Sequence, residues 1–217
     1  YSKNVQLITG SIITISTLYV YFSDSIKFHS INKKWLKPFL NNIVLAFLCI
    51  GGHQIFEYLT LEFNNLIIYK IGLIISISSM YFFLRSLEVI LNRNLKSKIA
   101  LVIIALVAIH AFLTDMTYAP YNFYLKHNTA YIWAAAWMFL FIYFHICAIS
   151  NRHLLKDDNS KKEIILYLFA TLDASFLLSF AYTLWGYWNH SLNVCIDSPS
   201  IWCTFFVLQT IFLPFFL

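Results

Sequence analysis

Seven apolar runs divide this chain, near residues 4–22, 39–61, 66–90, 99–117, 130–150, 163–188 and 200–217. Each approaches or exceeds the ~20 residues with which a helix crosses the ~30 Å hydrocarbon core of a bilayer. Backbone N–H and C=O groups in hydrocarbon must be satisfied internally, and runs of this length do so as helices. The expectation is an all-α integral membrane bundle of seven transmembrane helices, forming one domain over residues 1–217. Composition agrees: 60% of the residues are hydrophobic and 12% are charged, about half the charge that coats a soluble domain.

The connectors set the expected orientation. Lys27, Lys33, Lys34 and Lys37 lie in the first, Arg93, Lys96 and Lys98 in the third, and Arg152, Lys156, Lys161 and Lys162 in the fifth. The even connectors carry Lys126 and the N-terminal end carries Lys3. Cationic connectors stay in the cytoplasm, so the N-terminus is expected outside and the C-terminus inside, in a bacterial cytoplasmic membrane. Seven spans require opposite sides for the two ends, so count and charge agree. Tyr118, Tyr121, Tyr124, Trp185, Trp188 and Trp202 fall where an outer aromatic belt belongs, and Trp35 near the inner one. The net charge of +5 is explained by this bias, and no basic stripe with interleaved aromatics points to nucleic acid. The chain opens at Tyr1 and stops at Leu217 inside an apolar run, so both ends are expected to be trimmed. The first run lacks a basic leader and a small-residue cleavage pattern, so no cleavable signal peptide is expected. Cys195 and Cys203 flank the last outer loop; they either pair across it or stand as two thiols.

Ionisable residues inside the runs carry the informative chemistry, because each costs roughly 2.5–3.5 kcal/mol at a helix centre on insertion scales. In the second run, His53 and Glu57 are one turn apart and share a face, with Gln54 beside them. Gly51 and Gly52 just before allow a neighbouring helix to come close. This group reads as polar glue between helices, as a ligand or proton site, or as half of a metal site; the His-Glu-x-x-His pattern of zinc proteases is absent. Lys70 either snorkels to the headgroups or pairs with Glu57. Ser78, Tyr81, Arg85 and Glu88 form a polar stripe along the third run, in which Arg85 and Glu88 can pair. His110 is expected at a depth similar to His53 and Glu57, and Asp115 lies further out. Asp173 sits near the middle of the sixth run, the costliest place in the chain for a carboxylate. Thr171, Ser175 and Ser179 form a separate small face there, and Gln209 is a further polar residue in the last run. His127, His153 and His190 read as solvated, and His145 as a packed residue. The candidate ligand- or ion-binding residues are therefore His53, Gln54, Glu57, Lys70, His110 and Asp173.

Several classes are excluded by missing motifs. The seventh run holds no Lys for a retinal Schiff base. There is no Walker motif, dinucleotide fingerprint or Gly-x-Ser-x-Gly elbow, and no late His pair of the CREST-type membrane hydrolases.

Three stretches together carry a resemblance. The segment from Gly51 through His53, Gln54 and Glu57 is similar to a Gly-x-Gln-Gln-x-x-Glu-Gly segment. His127 to Tyr131 resembles a His-x-x-x-Tyr segment, and Ser200 to Phe206, with Trp202 and Cys203, resembles a Ser-Val-Trp-Cys-Phe-Phe signature. In order and spacing the chain resembles an uncharacterised bacterial family of multi-pass membrane proteins. It departs at His53, where that family tends to have Gln, and at Tyr58, where it tends to have Gly. The resemblance implies the architecture and the importance of Gln54, Glu57, His127, Trp202 and Cys203, and implies no activity. The expected function is a small-ligand or ion-binding sensor or transport-type module with a polar outer-half interior. The alternatives are a membrane-embedded enzyme acting on lipid, with or without a metal, and a structural subunit beside a membrane-protein partner.

Overall fold

The computed structural model describes residues 3–28, 34–114, 129–155, 158–188 and Val207. The seventh expected span apart from Val207, the two longest expected outer loops, and with them Asp115, His127, His190, Cys195, Trp202, Cys203 and Gln209, lie outside the described residues. Among the described residues there are six α-helices and no strand: α1 Lys3–Phe28, α2 Leu36–Phe63, α3 Leu66–Leu91, α4 Lys98–Leu113, α5 Thr129–Ser150 and α6 Asn159–Trp188. A 3-10 turn, Arg152–Leu155, joins α5 to α6. Four helices, within α1, α2, α3 and α6, are long and apolar enough to cross a membrane.

Local chemistry sets the helix ends. Asn64 caps α2 in the left-handed region (φ 50°), which Asn tolerates better than most residues. Asn65 then opens α3, its side-chain oxygen accepting from the N–H groups of Ile67 and Ile68. Two asparagines thus fold α2 back on α3 as a tight antiparallel hairpin. Asn92 ends α3 in the same left-handed way (φ 48°). The fourth run was expected to continue to Thr117, but α4 ends at Leu113 because Thr114 turns to extended backbone (φ −94°, ψ 130°). Its 16 residues rise only ~24 Å.

Packing centres on α3, which meets α2, α4 and α5, while α1 lies against α2. Phe83 of α3 makes edge-on ring contacts with Phe47 of α2 and Phe144 of α5, and all three rings are fully buried. The bundle is inverted relative to a water-soluble one. His53, Gln54, Thr60, Ser79 and Ser86 are completely buried, whereas Ile15, Val102, Leu106, Ile146 and Leu166 are exposed. Both faces of most helices are apolar, so a polar-out, apolar-in division cannot orient them.

The odd connectors meet at one end. Arg93, after α3, donates to Asn151, after α5, at 2.6 Å. Lys161, at the start of α6, lies 5.5 Å from the ring centre of Trp35, which precedes α2.

Close approach of α1 and α2 depends on two glycines. A Cβ placed on Gly10 would stand 2.8 Å from the Gly51 carbonyl oxygen and 2.9 Å from Gln54 Cβ. A Cβ on Gly51 would stand 3.1 Å from the Gly10 carbonyl and 2.6 Å from Thr14 Oγ1. Gly52 differs: a Cβ there would meet Ile75 at 3.6 Å, an ordinary contact. Gly10→Val is therefore expected to destabilise the bundle by about 1–3 kcal/mol through overpacking. Gly52→Ala should change it by less than about 1 kcal/mol. Thermal unfolding in detergent reads both, and equal effects would refute the crossing as described.

Candidate functional site

The site is built where α1, α2, α3 and α5 converge in the half of the bundle away from the cationic connectors. α2 supplies three side chains from two successive turns, His53 and Gln54 and then Glu57. Gln54 is fully buried, His53 likewise, and Glu57 is 6% exposed. A carboxylate this deep needs donors, and it has them. Its Oε2 accepts from Gln6 Nε2 of α1 at 3.2 Å and from Gln54 Nε2 at 3.3 Å. The Thr9 hydroxyl lies within donating distance of Gln54 Oε1, at 3.1 Å. The Gly10–Gly51 crossing brings α1 near enough for Gln6 and Thr9 to reach.

His53 faces the other way, toward α3. Its Nδ1 is 3.1 Å from the carbonyl oxygen of Gly72. A carbonyl only accepts, so Nδ1 carries hydrogen. Gly72 has no side chain to block this approach; a Cβ there would lie 3.6 Å from Nδ1 and 3.0 Å from Phe56 Cβ. The second nitrogen, Nε2, is 3.4 Å from Glu57 Oε1 and makes no hydrogen bond among the described residues. With Nδ1 committed to Gly72, Nε2 is the ring nitrogen that faces the Glu57 carboxyl group. Trp133 of α5 closes the site, its indole stacked on the His53 ring (centroids 6.4 Å, 28° between planes) and its N–H donating to the Leu73 carbonyl at 3.1 Å. Gln6 Oε1 and Ser76 Oγ are also buried without a hydrogen-bond partner among the described residues.

The remaining expected site residues are distributed elsewhere. Lys70 does not turn to Glu57: its ammonium donates to the Thr114 carbonyl at 3.0 Å and lies 5.8 Å from the Phe112 ring centre. His110 joins that second group, with Nε2 3.5 Å from Thr114 Oγ1. The two therefore meet at the end of α4, where the chain leaves helical geometry and frees a carbonyl. Asp173 accepts from or donates to His145 Nε2 at 2.8 Å. His145, read from sequence as a packing residue, is thus a member of a second His–carboxylate pair. Its Nδ1 is 2.8 Å from the Phe141 carbonyl. Phe141 and Phe169 flank the imidazole at centroid distances of 4.4 and 4.7 Å. In the polar stripe of α3, Arg85 pairs with Glu88, Ser78 bonds to the Ile74 carbonyl of its own helix, and Tyr81 packs edge-on against Phe82.

Gln6, Thr9, Trp133 and His145 are the functional candidates that sequence reading missed. Gln6 and Thr9 were hidden inside the first run; their one-turn polar spacing (residues 6 and 9) was the available signal. Among the described residues no three His, Cys, Asp or Glu side chains converge to hold a metal ion. Comparison with protein-family models, curated proteins and solved structures finds no match to this chain.

Removing one member of the His53–Glu57 pair strands the other. His53→Leu and Glu57→Gln should each destabilise the protein by about 1–3 kcal/mol. The double variant should cost less than their sum, by about 0.5–3 kcal/mol. Strict additivity in a double-mutant cycle on unfolding in detergent would refute the pairing.

Proposed function

We propose that this chain is a multi-pass protein of the bacterial cytoplasmic membrane, with seven spans, its N-terminus outside and its C-terminus in the cytoplasm. In this reading it is a sensor or transport-type module whose outer-half polar interior binds a small ligand or ion. The residues that would hold it are His53, Gln54 and Glu57, with Gln6 and Thr9 of α1 beside them. Support for the membrane setting comes from the exposed apolar side chains around a polar interior, and from basic residues gathered at one end. The single observation that carries the function is the commitment of His53 Nδ1 to Gly72. It turns Nε2 toward Glu57 in a buried site, where Nε2 and Gln6 Oε1 make no hydrogen bond among the described residues.

A ligand or ion bound there would touch α1, α2 and α3 together, so its occupancy would be linked to how these helices pack. The His145–Asp173 pair lies nearer the cationic end.

The test is thermal unfolding of detergent-purified protein with small cations and amines added one at a time. At least one should raise the wild-type midpoint, and Glu57→Gln should abolish that rise. A wild-type midpoint unmoved by every added ion, or a rise that Glu57→Gln leaves intact, would overturn the reading.

A further inference from the structure

We infer that the cleft between the end of α3 and the start of α4 binds the phosphate of an anionic phospholipid, with the lipid tail lying along α4. The cleft encloses about 590 Å³, and Arg85, Arg93, Lys96 and Lys98 line it. Its one acidic residue, Glu88, is ion-paired with Arg85 and leaves Arg93, Lys96 and Lys98 in excess. That side chain is 7% exposed and turned inward. Its Oε1 accepts from the N–H groups of Leu95 at 2.9 Å and Ser97 at 3.0 Å, and its Oε2 from the Ser97 hydroxyl at 2.9 Å. Arg85 meets Oε2 as well. The carboxylate is saturated in holding the connector, which leaves the open side of the cleft cationic.

The connector itself is bent to bring these cations together. Lys96 sits in the left-handed region (φ 57°), which costs a residue with a Cβ roughly 1–2 kcal/mol. The bonds from Glu88 to the residues on either side of Lys96 hold it there. Arginine and lysine side chains converging on a polar recess match a phosphate, which guanidinium binds through paired N–H groups.

The apolar half of the argument lies on α4. Ile99 lines the cleft, and Val102, Leu106 and Ile109 continue from it on one helical face at spacings of three, four and three. They are 60, 61 and 57% exposed. That track extends ~15 Å along the helix, running from the cationic end toward the bundle middle. A ligand suited to both parts carries a negative head and a hydrocarbon tail. On the proposed orientation, the cleft opens at the cytoplasmic leaflet, where anionic lipids are found and where basic recesses between helices bind their headgroups.

This inference rests on the membrane reading, and the experiment separates the two. Detergent-solubilised protein is mixed with equal phosphatidylglycerol and phosphatidylcholine, and retained lipid is counted by native mass spectrometry. The wild type should retain one phosphatidylglycerol in preference to phosphatidylcholine. Lys96→Gln with Lys98→Gln, which breaks no hydrogen bond described above, should weaken that retention roughly tenfold or more. Lys34→Gln with Lys37→Gln removes the same charge from another connector and should leave retention within about twofold. Excess inorganic phosphate should not displace the lipid. Equal retention of the two lipids, equal loss in both double variants, or full displacement by inorganic phosphate would each overturn the site. A chain that stays monodisperse in buffer without detergent would instead overturn the membrane reading.

Discussion

A carboxylate enclosed by apolar helices must be surrounded by donors, and the arrangement of α1, α2 and α3 follows from that requirement at Glu57. Two of its donors are glutamine amides, one from its own helix and one from α1. The α1 donor reaches only because Gly10 and Gly51 let two backbones approach without side chains between them. The third neighbour, His53, is turned by a carbonyl of α3 that Gly72 leaves open. Each glycine is thus explained by the polar contact it permits. Where hydrocarbon surrounds a bundle, apolar burial no longer drives helices together, and close packing with interhelical hydrogen bonds takes that part. The polar cluster is then an adhesive of this half of the bundle.

The other end of the bundle solves the same problem differently. Glu88 is buried to a similar degree, but its donors are backbone N–H groups of the following connector together with Arg85. Backbone donors cannot reorient without unfolding the turn. Glu88 therefore holds the connector, whereas Glu57, met by glutamine amides of two helices, ties α1 to α2.

How much of this was readable beforehand depends on the range of the interaction. The helices lie over the apolar runs because run length and hydrophobicity are local properties. The His53–Glu57 contact was visible because one-turn spacing fixes it within a helix, and so was the Arg85–Glu88 pair. Contacts between helices were not visible. Lys70 and Glu57 have opposite charges at similar expected depth, yet Lys70 binds a carbonyl released where α4 stops, an event encoded by the backbone of Thr114. Asp173 and His145 are 28 positions apart, and nothing in their flanking residues distinguishes that partner from His53 or His110. Helices that are apolar on every side carry no record of which face turns inward. Gln6 escaped notice for a related reason: a single amide in a long apolar run resembles a tolerated exception until its partner is known.

The two-asparagine turn between α2 and α3 has a consequence for biosynthesis. A hairpin closed within its own sequence can form as soon as both arms have left the ribosome, and α1 has by then already emerged. Gln6, Thr9, His53, Gln54, Glu57 and Gly72 all belong to these first three helices. The most expensive polar group in the N-terminal half can therefore be neutralised before α4, α5 or α6 exists. Trp133 arrives later, as a cover over an interior that the first three helices can complete on their own.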